Sequence, residues 1–307
     1  MRLRDVEFTD LYLSEKGDCQ MRGMKGSSSL STASAELQDD LRTFSDIVKA
    51  KGKNDIEFSV NFDGINFRVS RIDSIGGKWY AIRRPAAMVA SMKELGFSQK
   101  FLDKFLKLGK KYGLILLSGP TGSGKTTSAS AMVKDFLEAY GDVAVTIEDP
   151  PELPLDGAHG EGWCFQTPID SDEDFGDALV RCMRYQPKII FLGEIRTAFA
   201  ARQMLRASVN GHIVIATIHA GEINDTLNSI MTFISGDERE HALYALAEGL
   251  VGVINQRLVK TPTGNVLKYS PLIIERGSKE ETAIRSKIRT GKFEQLSTEI
   301  QAQKSFI

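Results

Sequence analysis

From Gly113 the chain reads GLILLS and then GPTGSGKTT, an apolar run that stops at a glycine-rich loop carrying one lysine. The run is too short for a buried helix, and the segment opening at Lys125 is helix-like, so the loop must turn a strand into a helix. Gly119, Gly122 and Gly124 allow the loop to fold back with successive N–H groups aimed at one point, with Thr121 and Ser123 between them. The positive end of the following helix strengthens the field there. The spacing G-x-x-x-x-G-K-T identifies the expected anion as the phosphate chain of a nucleotide. Lys125 is expected to reach the β- and γ-phosphates and the Thr126 hydroxyl to hold Mg²⁺, with Thr127 beside it in the first turn. ATP and Mg²⁺ are therefore the expected cofactors.

Three further short apolar runs follow, VAVTI from Val143, KIIFLG from Lys188 and IVIATI from Ile213, with longer amphipathic segments between them. That alternation predicts an α/β fold with a mostly parallel sheet covered on both faces. A helix capped by Ser98 is expected to precede it, and the tail from Glu240 reads as mostly helical, with a possible strand over Val253 to Lys260. Upstream the pattern differs. A Ser-rich stretch from Gly23 to Ser34 reads as a mobile loop, and Leu37, Leu41, Phe44 and Val48 mark an amphipathic helix between Ala35 and Lys51. Two alternating runs then flank Asp63-Gly64, a dipeptide suited to a tight hairpin, and a third run covers Lys78 to Arg84. The expected organisation is a small α+β domain over 1–90, a hinge at about 85–97, and an ATPase domain with a helical tail over 91–307.

In an open α/β sheet the carboxyl ends of the strands face the ligand. VTIEDPPE puts Glu148, Asp149 and Glu152 at such an end, with Glu148 and Asp149 as candidate Mg²⁺ contacts. An acidic surface turn is the plainer alternative. IIFLGEIR ends a third strand in Glu194, the choice for catalytic base; a salt bridge to Arg196 would be compatible with that role. His212 and His219 bracket the fourth strand, roughly 20 Å apart, so one metal ion cannot bind both.

The formal charge of −1 excludes a global pull toward nucleic acid or anionic membrane. The basic cluster Arg285, Lys287, Arg289 and Lys292 reads as a solvated helix face or a dock for an acidic partner. Three scattered cysteines form no disulfide framework and suit a reducing compartment. No apolar run is long enough to span a bilayer. A cytoplasmic protein with no transmembrane segment is expected.

Taken together, GPTGSGKTT, TIEDPPE, FLGEIR and NGHIVIATIHA resemble the four signatures of the secretion ATPase superfamily of PilT-like and GspE-like motors: Walker A, Asp box, atypical Walker B and His box. DLYLS, INFRVSR, YAIRRP, INQRL and AIRSKIRTGKFEQL extend the likeness over nearly the whole chain. The resemblance implies a RecA-like P-loop domain preceded by a PAS-like one, in a homo-hexameric ring peripheral to the inner membrane. It also implies an inner-membrane platform protein of a pilus or secretion system as partner, while the near-neutral charge and the lack of a basic stripe with interleaved aromatics point to no nucleic acid. It makes Glu152 and Glu194 the catalytic acids and His219 a sensor near the γ-phosphate. Arg68, Arg71, Arg83 and Arg184 become candidates for completing the site across a boundary. Departures are Thr197 after the Walker B arginine, Ser229 where a second family arginine is placed, and Lys287 and Thr290 in the AIRNLIRE-like segment. With no four-cysteine insertion, a retraction-type motor or a DotB-like secretion or conjugation ATPase fits better than an assembly motor. A nucleotide-gated scaffold with weak hydrolysis is the alternative of a different class.

Overall fold

The computed structural model describes residues 1–24, 29–85, 88–234, 236–261 and 264–306. The chain divides into two compact units, Met1–Ala87 and Met88–Ile307. Residues 86 and 87, within the expected hinge, lie outside the described residues.

The first unit is an antiparallel sheet with one helix. Its strands are β1 (Asp10–Ser14), β2 (Cys19–Arg22), β3 (Leu30–Thr32), β4 (Glu57–Phe62), β5 (Ile65–Ser74) and β6 (Gly77–Arg83), in the order β3-β2-β1-β6-β5-β4. Helix α1 (Gln38–Lys51) lays Leu41, Phe44 and Val48 on the sheet, with the Phe44 ring 4.9 Å from both Phe62 and Phe67. Asp63 and Gly64 both take positive φ, 55° and 82°, as a two-residue hairpin between right-twisted strands requires. Part of the expected loop after Gly23 is instead β3, paired with β2; its residues 25–28 lie outside the described residues. Arg84 donates to the carbonyls of Leu3, Arg4 and Val6, fixing the N-terminal turn to the end of the sheet.

The second unit runs α2 (Gln99–Phe105), β7 (Gly113–Ser118), α3 (Lys125–Tyr140), β8 (Asp142–Glu148), β9 (Gly157–His159), β10 (Gly162–Pro168), α4 (Asp174–Cys182), β11 (Ile189–Leu192), α5 (Ala198–Val209), β12 (Ile213–Ile218), α6 (Ile223–Phe233), α7 (Arg239–Gly249), β13 (Leu250–Thr261), β14 (Gly264–Ile273), α8 (Glu281–Arg289) and α9 (Ser297–Gln303). The sheet order is β14-β13-β7-β12-β11-β8-β10-β9, with antiparallel pairing only at the two edge strands. β7, β11 and β12 are buried throughout, because helices cover both faces. Leu114, Leu116, Ile190, Leu192 and Val214 pack toward α4–α8, while Ile115, Leu117, Phe191 and Ile215 pack toward α2 and α3. The Ser98 cap is present, its Oγ accepting the Phe101 N–H at 3.1 Å.

Two expectations are corrected. The strand expected over Val253 to Lys260 lies within β13, but the region around it is not mostly helical: β13 and β14 form a long hairpin, and β13 joins β7 in parallel. Pro271, which weakens the strand pattern there, sits in the edge strand β14, where a missing N–H is tolerated. The basic cluster is not a free face either. Arg285 is buried, donates to the Ala247 and Glu248 carbonyls at the end of α7, and pairs with Glu281. Lys287 pairs with Glu299, and Arg289 with Glu248. These cations tie α8 to its neighbours.

Asp135 on α3 accepts the Met92 N–H at 3.0 Å, and burial raises its carboxyl pKa while that hydrogen bond opposes the rise. An acid whose folded pKa exceeds its unfolded value of about 3.9 costs stability as pH rises through that interval. Asp135→Asn keeps an acceptor and removes the charge. Thermal unfolding of both proteins across pH should show the variant gaining on the parent from about pH 4 upward and then levelling. A constant difference would refute this account of Asp135.

Candidate active site

Parallel strands in register deliver their carboxyl ends to one level, since Ile218 pairs with Ser118 and Leu192 with Ala216. The loop after β7 then turns back on itself. Gly119, Gly122 and Gly124 have φ of 149°, 74° and 82°. A Cβ on Gly119 would lie 2.1 Å from the Gln256 carbonyl oxygen, so only glycine fits. No side chain caps α3 at Gly124, which leaves its first N–H groups to the loop cavity. Ser123 Oγ is buried with no hydrogen-bond partner among the described residues. Thr126 and Thr127 are half-buried in the first turn, and Thr121 is exposed.

Lys125 is the buried charge at the centre. Its Nζ donates to the carbonyls of Gly119 (3.0 Å) and Pro120 (3.1 Å) and meets His219 Nδ1 at 3.3 Å. Burial lowers its pKa, and the charge of Glu194 works in the opposite direction. An ammonium can only donate, so the imidazole carries its hydrogen on Nε2, which faces Glu194 Oε1 at 3.2 Å. The other oxygen of Glu194 accepts from Arg196 at 2.6 Å. Lys125, His219 and Glu194 thus form one connected line, and the Glu194–Arg196 salt bridge exists beside it.

The other sequence candidates separate. Glu148 ends β8 almost wholly buried, accepting from Thr146 (2.6 Å) and Gln166 (3.0 Å) and from the Glu152 backbone N–H. Burial raises its pKa against those hydrogen bonds. Expected among the Mg²⁺ contacts, it instead anchors the acidic loop, because its lone pairs serve these donors. Asp149 and Glu152 are exposed in that loop. Arg184 lies before β11, at the opposite end from Glu194, with about 13 Å of strand between them, so this chain does not bring it to its own P-loop. Arg71 donates to the Gly52 carbonyl at 3.0 Å and pairs with Asp73, holding α1 to the first unit's sheet. Arg83 pairs with Asp10 and stands opposite Arg68 on β5. His212 meets the Pro187 carbonyl at 2.7 Å, a structural histidine.

Sequence reading missed the clamp on the loop. Gln256 Nε2 donates to the Ser123 carbonyl at 2.8 Å. Asn255 Nδ2 donates to Ser118 Oγ at 3.0 Å and to the Ala220 carbonyl at 3.3 Å, and Thr226 also reaches Ser118 at 2.7 Å. The signal was available, since two adjacent amides interrupt the apolar run VGVINQRLV.

A cavity of about 720 Å³ opens from Gly119 and Pro120 and is lined further out by His219, Asn255, Arg257 and Lys268. A second, of about 400 Å³, lies against Glu194, Arg196, His219 and Ser229. A glycine cradle, uncapped N–H groups, a buried ammonium and an orphan hydroxyl fit a phosphate chain. Among the described residues no group of three acidic, histidine or cysteine side chains could hold a metal. Mg²⁺ needs no such cage where one hydroxyl and phosphate oxygens serve.

Residues 31–303 match the family model described as type II/IV secretion system protein. The chain belongs to that family. It is 30% identical over 266 residues to the type IV pilus retraction ATPase PilT of Pseudomonas aeruginosa, covering 83% of this chain and 74% of that one. The crystal structure of the pilus retraction motor PilT with bound ADP superposes with a TM-score of 0.79 at 29% identity, covering 97% of this chain and 87% of that one. The ATPase DotB of Legionella pneumophila shares the fold, with a TM-score of 0.73 at 18% identity over 95% and 84% of the two chains. Family membership and the P-loop together make the chain an ATP-hydrolysing enzyme of the pilus and secretion class.

If the clamp shapes the loop, Gln256→Ala leaves the buried Ser123 carbonyl unpaired, a loss of about 1–3 kcal/mol. Titration with a fluorescent ADP should show affinity falling about tenfold or more while the fold is kept. Unchanged affinity would detach Gln256 from the site.

Proposed function

We propose that this chain is the motor subunit of a type IV pilus, of the retraction type, working as a homo-hexameric ring on the cytoplasmic side of the inner membrane against a platform protein. The likeness to PilT in sequence and structure supports the retraction reading over the DotB-like one, where the likeness is of fold alone. No helix among the described residues is long and apolar enough to cross a membrane, so contact with the membrane would be peripheral.

The observation that carries the enzymatic part is the line from Lys125 through His219 to Glu194. The loop N–H groups and Lys125 bind the phosphates of ATP, and the cavity beyond Pro120 takes the rest of the nucleotide. Mg²⁺, with Thr126 and Asp149 as its protein contacts, would neutralise charge on the phosphate oxygens. Glu194 orients the attacking water and accepts its proton. His219, between Lys125 and Glu194, registers whether a γ-phosphate has drawn the ammonium away. Glu152 acts with Glu194, and Arg68, Arg83 and Arg184 are the arginines left to serve a neighbouring subunit's site, since Arg71 is held by Gly52 and Asp73.

One observation favours the scaffold reading. The cavity beside Glu194 is faced from α6 by Ser229 and Thr232, so no cation completes it from that helix. Steady-state hydrolysis across a protein concentration series separates the two readings. The motor reading expects specific activity to rise as rings assemble, and Glu194→Gln to lose about a hundredfold or more while still binding ATP. Flat, negligible turnover with intact ATP binding would leave the nucleotide-gated scaffold.

A further inference from the structure

We propose that Arg196, held by Asp172, is a positioning residue that fixes the Glu194 carboxylate for catalysis, a role that rests on the reading of Glu194 as the base. After β11, Ile195 is buried with its N–H on the Thr217 carbonyl at 3.1 Å. Glu194 and Arg196, on either side of that buried residue, meet each other directly. The guanidinium gives one edge to Glu194 Oε2 at 2.6 Å and reaches both Asp172 oxygens at 3.0 and 3.3 Å. His219 takes the remaining Glu194 oxygen. Both oxygens are thereby spoken for, and the carboxylate has one rotational setting rather than several.

Asp172 belongs to the loop between β10 and α4, close in sequence to Ile169, whose N–H donates to the Glu148 carbonyl at 3.0 Å. The Asp172–Arg196 pair therefore joins the loop after β10 to the base after β11. The adjacent Thr197 takes no part: its Oγ1 accepts the Ala200 N–H at 3.2 Å and caps α5. The acid that anchors the arginine comes from 24 residues upstream.

Arg196 is half exposed, and exposed ion pairs contribute little to stability. Its removal should therefore appear in turnover and not in the melting temperature. The test compares kcat, KM for ATP and thermal unfolding for the parent, Arg196→Gln, Arg196→Lys, Asp172→Asn and Glu194→Gln. Arg196→Gln is expected to lower kcat by about tenfold to a hundredfold with KM unchanged. Arg196→Lys should recover part of the loss, and Asp172→Asn should reproduce it more weakly. Equal loss of melting temperature, a rise in KM with kcat intact, or an increase in kcat would each overturn the assignment. If Glu194→Gln is inactive while Arg196→Gln turns over like the parent, this inference alone fails. If Glu194→Gln itself keeps turning over, the reading of Glu194 as base fails first.

Discussion

A buried ammonium with no carboxylate in contact among the described residues is an expensive object, and much of the site accommodates Lys125. Two loop carbonyls and one imidazole nitrogen take its protons. Those carbonyls face inward because the loop reverses at Gly119, and it can reverse there because Gly119 carries no Cβ to strike the Gln256 carbonyl. The glycines, the amide clamp from β13 and the uncapped start of α3 all follow from that requirement. A site that holds a cation on neutral acceptors will exchange them readily for phosphate oxygens, which bind a charged donor more strongly.

The order of the sheet then decides what the lysine touches. β12 lies between β7 and β11, so the residue after β12, His219, stands between those after β7 and β11. Lysine, histidine and glutamate line up because their strands do. The imidazole can accept on one nitrogen and donate on the other, which suits it to that middle place. A change at the phosphate loop therefore has a direct route to the glutamate, through the Lys125–His219 hydrogen bond and the 3.2 Å contact of His219 with Glu194.

Much of this was legible in the sequence, for a physical reason: strand ends near a P-loop carry their chemistry in short contiguous motifs. Lys125 and Glu194 could each be read from the few residues around them, whereas the place of His219 came only from the family resemblance. What escaped was assembled by pairing across distance. Asp172 reaches Arg196 from a loop with no motif of its own, and Gln256 meets Ser123 only because β13 pairs with β7. The strand expected over Val253 to Lys260 lies in β13, but its antiparallel partner β14 reads in the sequence as part of a helical tail. The cations of α8 looked solvated because charge patterns do not show burial, yet Arg285 lies inside against the end of α7. Conversely Arg71 looked available, but its neighbours Gly52 and Asp73 occupy it.

The central claim is that Lys125, His219 and Glu194 act as one unit, with the glutamate as its working end. A double-mutant cycle on single-turnover hydrolysis of bound ATP tests it most directly, using His219→Ala, Glu194→Gln and the pair. Groups acting as a unit lose their effect together. The account predicts that the double variant is no slower than Glu194→Gln alone. Losses that multiply would show that histidine and glutamate work independently, and would contradict it.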